Sequence, residues 1–136
     1  MNKLKVFLLC LVAILLLFSI TACIQMYTME RALARGIFSD VLDDMKDIGY
    51  LDQELEKYYH DKMDQYGWKT INGDFFQGTW PRDANLRSHK ERSELIHLTL
   101  RIQPSRISRW IHTFTKGEAE FIFSAKQPSE YFDSRW

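Results

Sequence analysis

The chain has 136 residues, 46% of them hydrophobic, and its 18 basic and 18 acidic side chains give a formal charge of zero. Without its apolar N-terminal stretch roughly 110 residues remain, enough for one small domain with a modest core and too few for two. Charge is unevenly placed: Glu30 to Tyr66 carries ten acidic and five basic residues, Gly67 to Trp136 eight and eleven. Neither half has the concentrated basic face of a nucleic-acid binder, so no nucleic-acid partner is expected.

The first element is Val6 to Ile24, VFLLCLVAILLLFSITACI, 19 residues without a charge. As a helix it covers about 28 Å, the thickness of a bilayer's hydrocarbon core, so the lipid bilayer is the first expected partner. Lys3 and Lys5 precede it. The positive-inside tendency therefore puts residues 1–5 in the cytoplasm and everything beyond Ile24 outside the cell membrane. The two cysteines, Cys10 and Cys23, both lie in this run. The rest of the chain thus has neither a disulfide framework nor a cysteine-based metal site.

Ile20-Thr21-Ala22-Cys23 is similar to a bacterial lipobox, which opens an alternative: a lipoprotein acylated at Cys23, with a small extracytoplasmic binding domain. A lipoprotein's acylated cysteine is followed by a polar tether. Here Ile24, Met26, Tyr27, Met29, Leu33, Ile37, Val41 and Met45 continue an apolar stripe at helical spacing. The expected helix runs from Lys5 to Ile48 and is capped by Gly49. Asp52 then starts a second helix, with Leu55, Tyr59, Met63 and Tyr66 on one face and Gly67 as its stop.

Beyond Gly67 the period changes to that of strands. WKTINGDFF predicts a hairpin at Asn72-Gly73. ELIHLTLRI alternates, with Ile96, Leu98, Leu100 and Ile102 on one face, and Pro104 ends it. ISRWIHTF and AEFIFSA predict a further antiparallel pair, with Ala119, Phe121, Phe123 and Ala125 on one face. The expected fold is α+β: a cytoplasmic start (1–5), a membrane helix (6–24), a helical stalk with the second helix (25–66), an antiparallel sheet of three to five strands (67–126) and a mobile or weakly docked tail (127–136).

No HExxH, GxSxG, phosphate loop or paired-carboxylate motif occurs, and the four histidines have no ligand spacing. Neither catalysis, a cofactor nor a metal is expected. The nearest constellation is His97, Thr99 and Arg101 on one strand face, beside His112 on a neighbouring strand. Asp43, Asp44 and Asp47 lack an enclosing EF-hand loop. Arg82, Arg87, Lys90 and Arg92, with Trp80 and His89, could hold DNA, another anionic polymer or membrane headgroups, but Asp83, Glu91 and Glu94 dilute that patch.

The long helix KVFLLCLVAILLLFSITACIQMYTMERALARGIFSDVLDDM, the second helix IGYLDQELEKYYHDKMDQYGW and the strand LIHLTLRI together resemble the type IV pilin-like proteins, in particular the TadE-like pseudopilins. The likeness is one of layout over nearly the whole chain. It implies a membrane-anchored subunit of a pilus or secretion-type envelope assembly, with other pilin-like or assembly-machine subunits as partners. Ala32, Ala34 and Gly36, small residues just past the apolar run, are the implied helix-packing contacts. Pilins usually carry a Gly or Ala cleavage site before the apolar run and a Glu within it, whereas here Lys5 precedes Val6 and the run has no Glu. That departure points to a minor or accessory subunit.

Overall fold

In the computed structural model, which describes residues 2–70 and 73–132, the apolar run and the amphipathic stretch after it form one unbroken helix. This helix, α1 (Asn2–Ile48), has 47 residues and is about 70 Å long. It is long and apolar enough to cross a membrane as a single span. From Asn2 to Met26 its side chains are exposed, except for half-buried Cys23. Above that, Tyr27, Glu30, Ala34, Ile37, Val41 and Met45 are buried at steps of three and four residues. That stripe is one wall of the core. Gly49, at φ 89°, ends the helix by donating its N–H to the Met45 carbonyl at 2.7 Å. A β-carbon there would run into the Ser88 carbonyl oxygen, so only glycine lets the chain turn at this point.

A second helix, α2 (Gln53–Gln65), begins after Asp52 and lays Tyr59 and Met63 into the core. The Tyr59 hydroxyl donates to Asp44 Oδ2 at 2.6 Å, tying α2 to α1. Burial first, and then the Asp44 contact, push the Tyr59 pKa well above the ordinary phenol range.

The sheet packs against the α1 stripe. Strands β1 (Leu95–Ile102) and β2 (Phe121–Pro128) pair antiparallel, with Leu98 opposite Ala125 and Ile102 opposite Phe121. Ile96, Leu98, Leu100 and Ile102 are fully buried, the face that alternation predicts. The molecule is thus α+β in the expected layout.

Three expectations are corrected. ISRWIHTF is not a strand: Arg106–Lys116 is a helix, α3, inserted between β1 and β2. Ile107, Trp110, Ile111 and Phe114 lie at helical spacing, Pro104 and Ser105 start the element, and Gly117, at φ 75°, closes it with an N–H bond to the Thr113 carbonyl. Period outweighs the β-branched and aromatic content that favours a strand. Among the described residues the sheet has two strands, not three to five. The outer edge of β1 is covered instead by the loop that follows α2. Trp80 and His97 exchange two N–H···O bonds of 2.8 Å, Lys69 pairs with Gln103, and the Thr79 hydroxyl donates to the Thr99 carbonyl. The turn of the hairpin expected at Asn72-Gly73 includes Asn72, which with Ile71 lies outside the described residues. The segment from Gln127 is docked as far as Tyr131: Gln127 and Pro128 belong to β2, Ser129 is buried, and Tyr131 accepts a bond from Lys90 N–H.

Candidate interaction site at the base of the domain

At the base of the domain, just above Tyr27, contacts with α1 converge on Glu30, a carboxylate only 9% exposed. Its Oε1 accepts from the Trp68 indole N–H at 2.9 Å and the Ser105 backbone N–H at 2.7 Å. Its Oε2 accepts from the Ser105 and Ser108 hydroxyls at 2.8 and 2.6 Å. Four donors thus satisfy a buried acid, three of them from the start of α3: the backbone N–H and hydroxyl of its N-cap, Ser105, and the hydroxyl of Ser108 in its first turn. Glu30 is therefore the side chain that caps α3 and fixes it to α1.

One turn further along α3, His112 Nδ1 lies 2.7 Å from the Tyr27 hydroxyl, and its ring stands edge-on to Phe121 at 4.9 Å. Burial pushes the His112 pKa down, and the nearby Arg31 adds to this; Glu118, 4.0 Å from Nε2, opposes it. The ring is neutral at pH 7, and with the proton on Nε2 it accepts the Tyr27 hydrogen at Nδ1. Ser108, His112 and Glu30 are residue types that also serve acyl transfer, but here Ser108 is fully buried and donates to Glu30, while His112 faces Tyr27. The arrangement is a clamp between two helices.

Two apolar surfaces flank the clamp. On α1, Met26, Met29 and Leu33 are exposed, as is Tyr66 beyond α2. Ala32 and Gly36 line a shallow groove with Met29, Leu33, Ile37 and Tyr66, and Asp40 and Lys62 close its upper end. Ala34, by contrast, is fully buried in the chain's own core, so of the three small residues only Ala32 and Gly36 face outward. On α3 the usual arrangement is inverted: Ser108 and His112 face the protein, while Ile107, Trp110 and Phe114 are 42%, 72% and 85% exposed.

The other sequence candidates are not brought together. His97 is on the outer face of β1, 3.2 Å from the Ser124 hydroxyl, whereas His112 reaches the core face through Phe121. Asp44 is engaged by Tyr59, Asp43 and Asp47 are exposed, and among the described residues no cluster of three His, Cys, Asp or Glu could hold a metal. Much of the basic loop is engaged in the fold. Arg82 bridges Glu56 and Asp74; burial lowers its pKa, but the two carboxylates outweigh burial and leave it raised. Arg87 lies over the rings of Tyr50 and Tyr131, at 4.8 and 4.3 Å. Cys23 sits within the unbroken helix, half-buried and without a disulfide.

Sequence reading missed the Glu30 clamp, although a signal was present: Glu30 falls in phase with Tyr27, Ala34 and Ile37, an acid at a core position of the stripe. Compared with known proteins, the chain matches no family model, no curated protein and no solved structure.

Proposed function

We propose that this chain is a non-enzymatic, single-pass membrane protein of the pilin-like, TadE-like pseudopilin type, a minor subunit of a pilus or secretion-type envelope assembly. Its N-terminus is cytoplasmic and its domain extracytoplasmic. The observation that carries this reading is the continuity of α1: the helix whose exposed lower half is apolar is also the wall of the domain core, from Tyr27 to Met45. A lipid or a flexible tether would fix only the domain's distance from the membrane. A single rod fixes its orientation too, which suits a subunit that must meet neighbours in register. Lys3 and Lys5 before the span support the orientation. The groove of Met29, Ala32, Leu33 and Gly36, just above the span, supports helix-to-helix packing with such neighbours, because small residues let helices approach closely.

The test is photocrosslinking in intact cells, with the reactive residue in place of Leu33 and, as a control, of Asp61 on α2. Leu33 adducts to a second copy or to another single-pass, pilin-like chain, without matching adducts at Asp61, are the expected result. Leu33 adducts to lipid alone would overturn the assembly reading.

A further inference from the structure

We propose that α3 is an interfacial helix, lying in the lipid headgroup layer with Ile107, Trp110 and Phe114 set into the bilayer surface. The inference rests on the reading of α1 as a membrane span.

Three observations carry it. The first is the inversion of α3. A helix on a soluble domain turns its apolar stripe inward, yet this one buries Ser108 and His112, keeps only Ile111 half-buried against the core, and leaves Ile107, Trp110 and Phe114 uncovered along one side. Trp110 and Phe114 stack on each other, with ring centroids 6.3 Å apart, so the exposed side is a continuous aromatic surface. Such a surface is costly in water.

The second observation is height. The bonds from α3 to α1 are made to Tyr27 and Glu30, the lowest buried residues of α1. Tyr27 and Glu30 lie three and six residues beyond Ile24, or roughly 5 to 9 Å along the helix axis. A headgroup layer is itself roughly 5 to 8 Å deep, and a helix with its side chains is about 10 Å across. An α3 bonded at that height falls within the layer, and because His112 is held to Tyr27 while Ser105 and Ser108 are held to Glu30, its Phe114 end is the nearer to the acyl boundary.

The third observation is charge. The sequence RISRWIHTFTK contains Arg106, Arg109 and Lys116 and no acid. Arg31 and Arg35 stand nearby on α1, where Arg31 shares a cleft with His112, Lys116 and a single acid, Glu118. A basic, amphipathic helix with tryptophan on its apolar side combines attraction to anionic headgroups with an aromatic residue suited to the interface. A protein partner would account for the apolar side alone. The lipid surface accounts for the apolar side, the basic residues and the height together.

The experiment places a nitroxide spin label, one site at a time, on the full-length protein in phosphatidylethanolamine–phosphatidylglycerol vesicles, with Cys10 and Cys23 replaced by alanine. The label sites are Phe114→Cys and Trp110→Cys on α3, Leu16→Cys within the span, and Asp61→Cys on α2. Each native residue is exposed, so none of the substitutions removes a core contact. Collision rates with oxygen, which concentrates in lipid, and with a water-soluble nickel chelate report depth. At positions 110 and 114 oxygen collisions should exceed chelate collisions, reversing the ratio at 61, though less strongly than at 16. If 110 and 114 match 61 while 16 reads as hydrocarbon, the interfacial placement is overturned and the span stands. If 16 also reads as aqueous, the span fails and takes this inference with it. Labels at 110 and 114 that are immobilised and shielded from both reagents would mean a protein covers α3, which also overturns the proposal.

Discussion

If Glu30 holds α3 to α1, its removal should destabilise the domain far more than its neutralisation. In Glu30→Ala the Ser105 and Ser108 hydroxyls, 3.2 Å apart, can turn toward each other or toward water. The Trp68 indole N–H and the Ser105 backbone N–H cannot, and they lose the oxygen that accepts both. A stranded buried donor costs about 1–3 kcal/mol, so two cost roughly 4 kcal/mol. For a folded unit of roughly 110 residues, 1 kcal/mol moves Tm by about 4 °C, which puts the expected fall near 15 °C. In Glu30→Gln the side-chain oxygen still accepts both N–H groups, and the new NH2 can donate to the two hydroxyls once they rotate. Only the charge assistance is lost, about 1 kcal/mol or roughly 4 °C. The assay is a thermal melt of the full-length protein in detergent micelles, followed by tryptophan emission, since Trp68 reports directly on the contact. An alanine variant melting within about 3 °C of the parent, or the two variants melting together, would refute the view that Glu30 organises this junction.

Two further outcomes follow from the same region and from the span. His112 has its folded-state pKa lowered from 6.5, so below about pH 6.5 the unfolded chain binds a proton that the folded chain resists. Its contribution to stability is therefore complete above that pH and declines as the pH falls toward the folded-state value. Melts between about pH 7.5 and pH 5.5 should show a fall that His112→Gln flattens, and parallel curves for the two proteins would contradict the buried, neutral ring. If the helix is the anchor, as proposed, Cys23→Ala should remain in the membrane fraction after alkaline carbonate extraction at unchanged apparent mass. A rise of about 2 kDa, or diacylglyceryl-Cys23 at the native N-terminus, would instead establish the lipoprotein alternative.

What was legible in the sequence follows the strength of each periodic signal. α1 could be read because its apolar run passes without interruption into a three-and-four stripe, and β1 because Ile96 to Ile102 alternates over seven residues. α3 was misread because 11 residues rich in Ile, Thr, Trp and Phe satisfy composition rules for a strand, while their helical spacing marks a face that the protein does not bury. A stripe that points away from the core gives local pattern reasoning no inward partner to confirm it. The covering of β1 was not legible for another reason. Trp80 and Thr79 reach the strand edge from a loop held by single bridges and by the Arg82 contacts with Glu56 and Asp74. Such contacts are tertiary and have no sequence period. Glu30 stood in the stripe where an apolar residue belongs, and only the fold reveals its four donors.

The clamp also bears on how a neighbour would meet this domain. A lone transmembrane rod leaves its domain free to tilt, because nothing off its axis touches the membrane. Glu30 and Tyr27 fix α3 to the rod at the domain's base, away from the rod's own axis. With α3 resting on the bilayer, tilting would either lift Trp110 and Phe114 out of the interface or force them into hydrocarbon, so the two attachments together hold one inclination. Met29 to Gly36 then lies roughly 8–18 Å above the end of the span at a constant height. A second copy anchored in the same way presents its groove at the same level, so the packing of small residues against small residues requires only rotation about the membrane normal and lateral diffusion. Breaking the clamp should therefore weaken crosslinking from Leu33 even where the domain remains folded, and Glu30→Gln, with its small stability loss, is the variant in which that link can be seen.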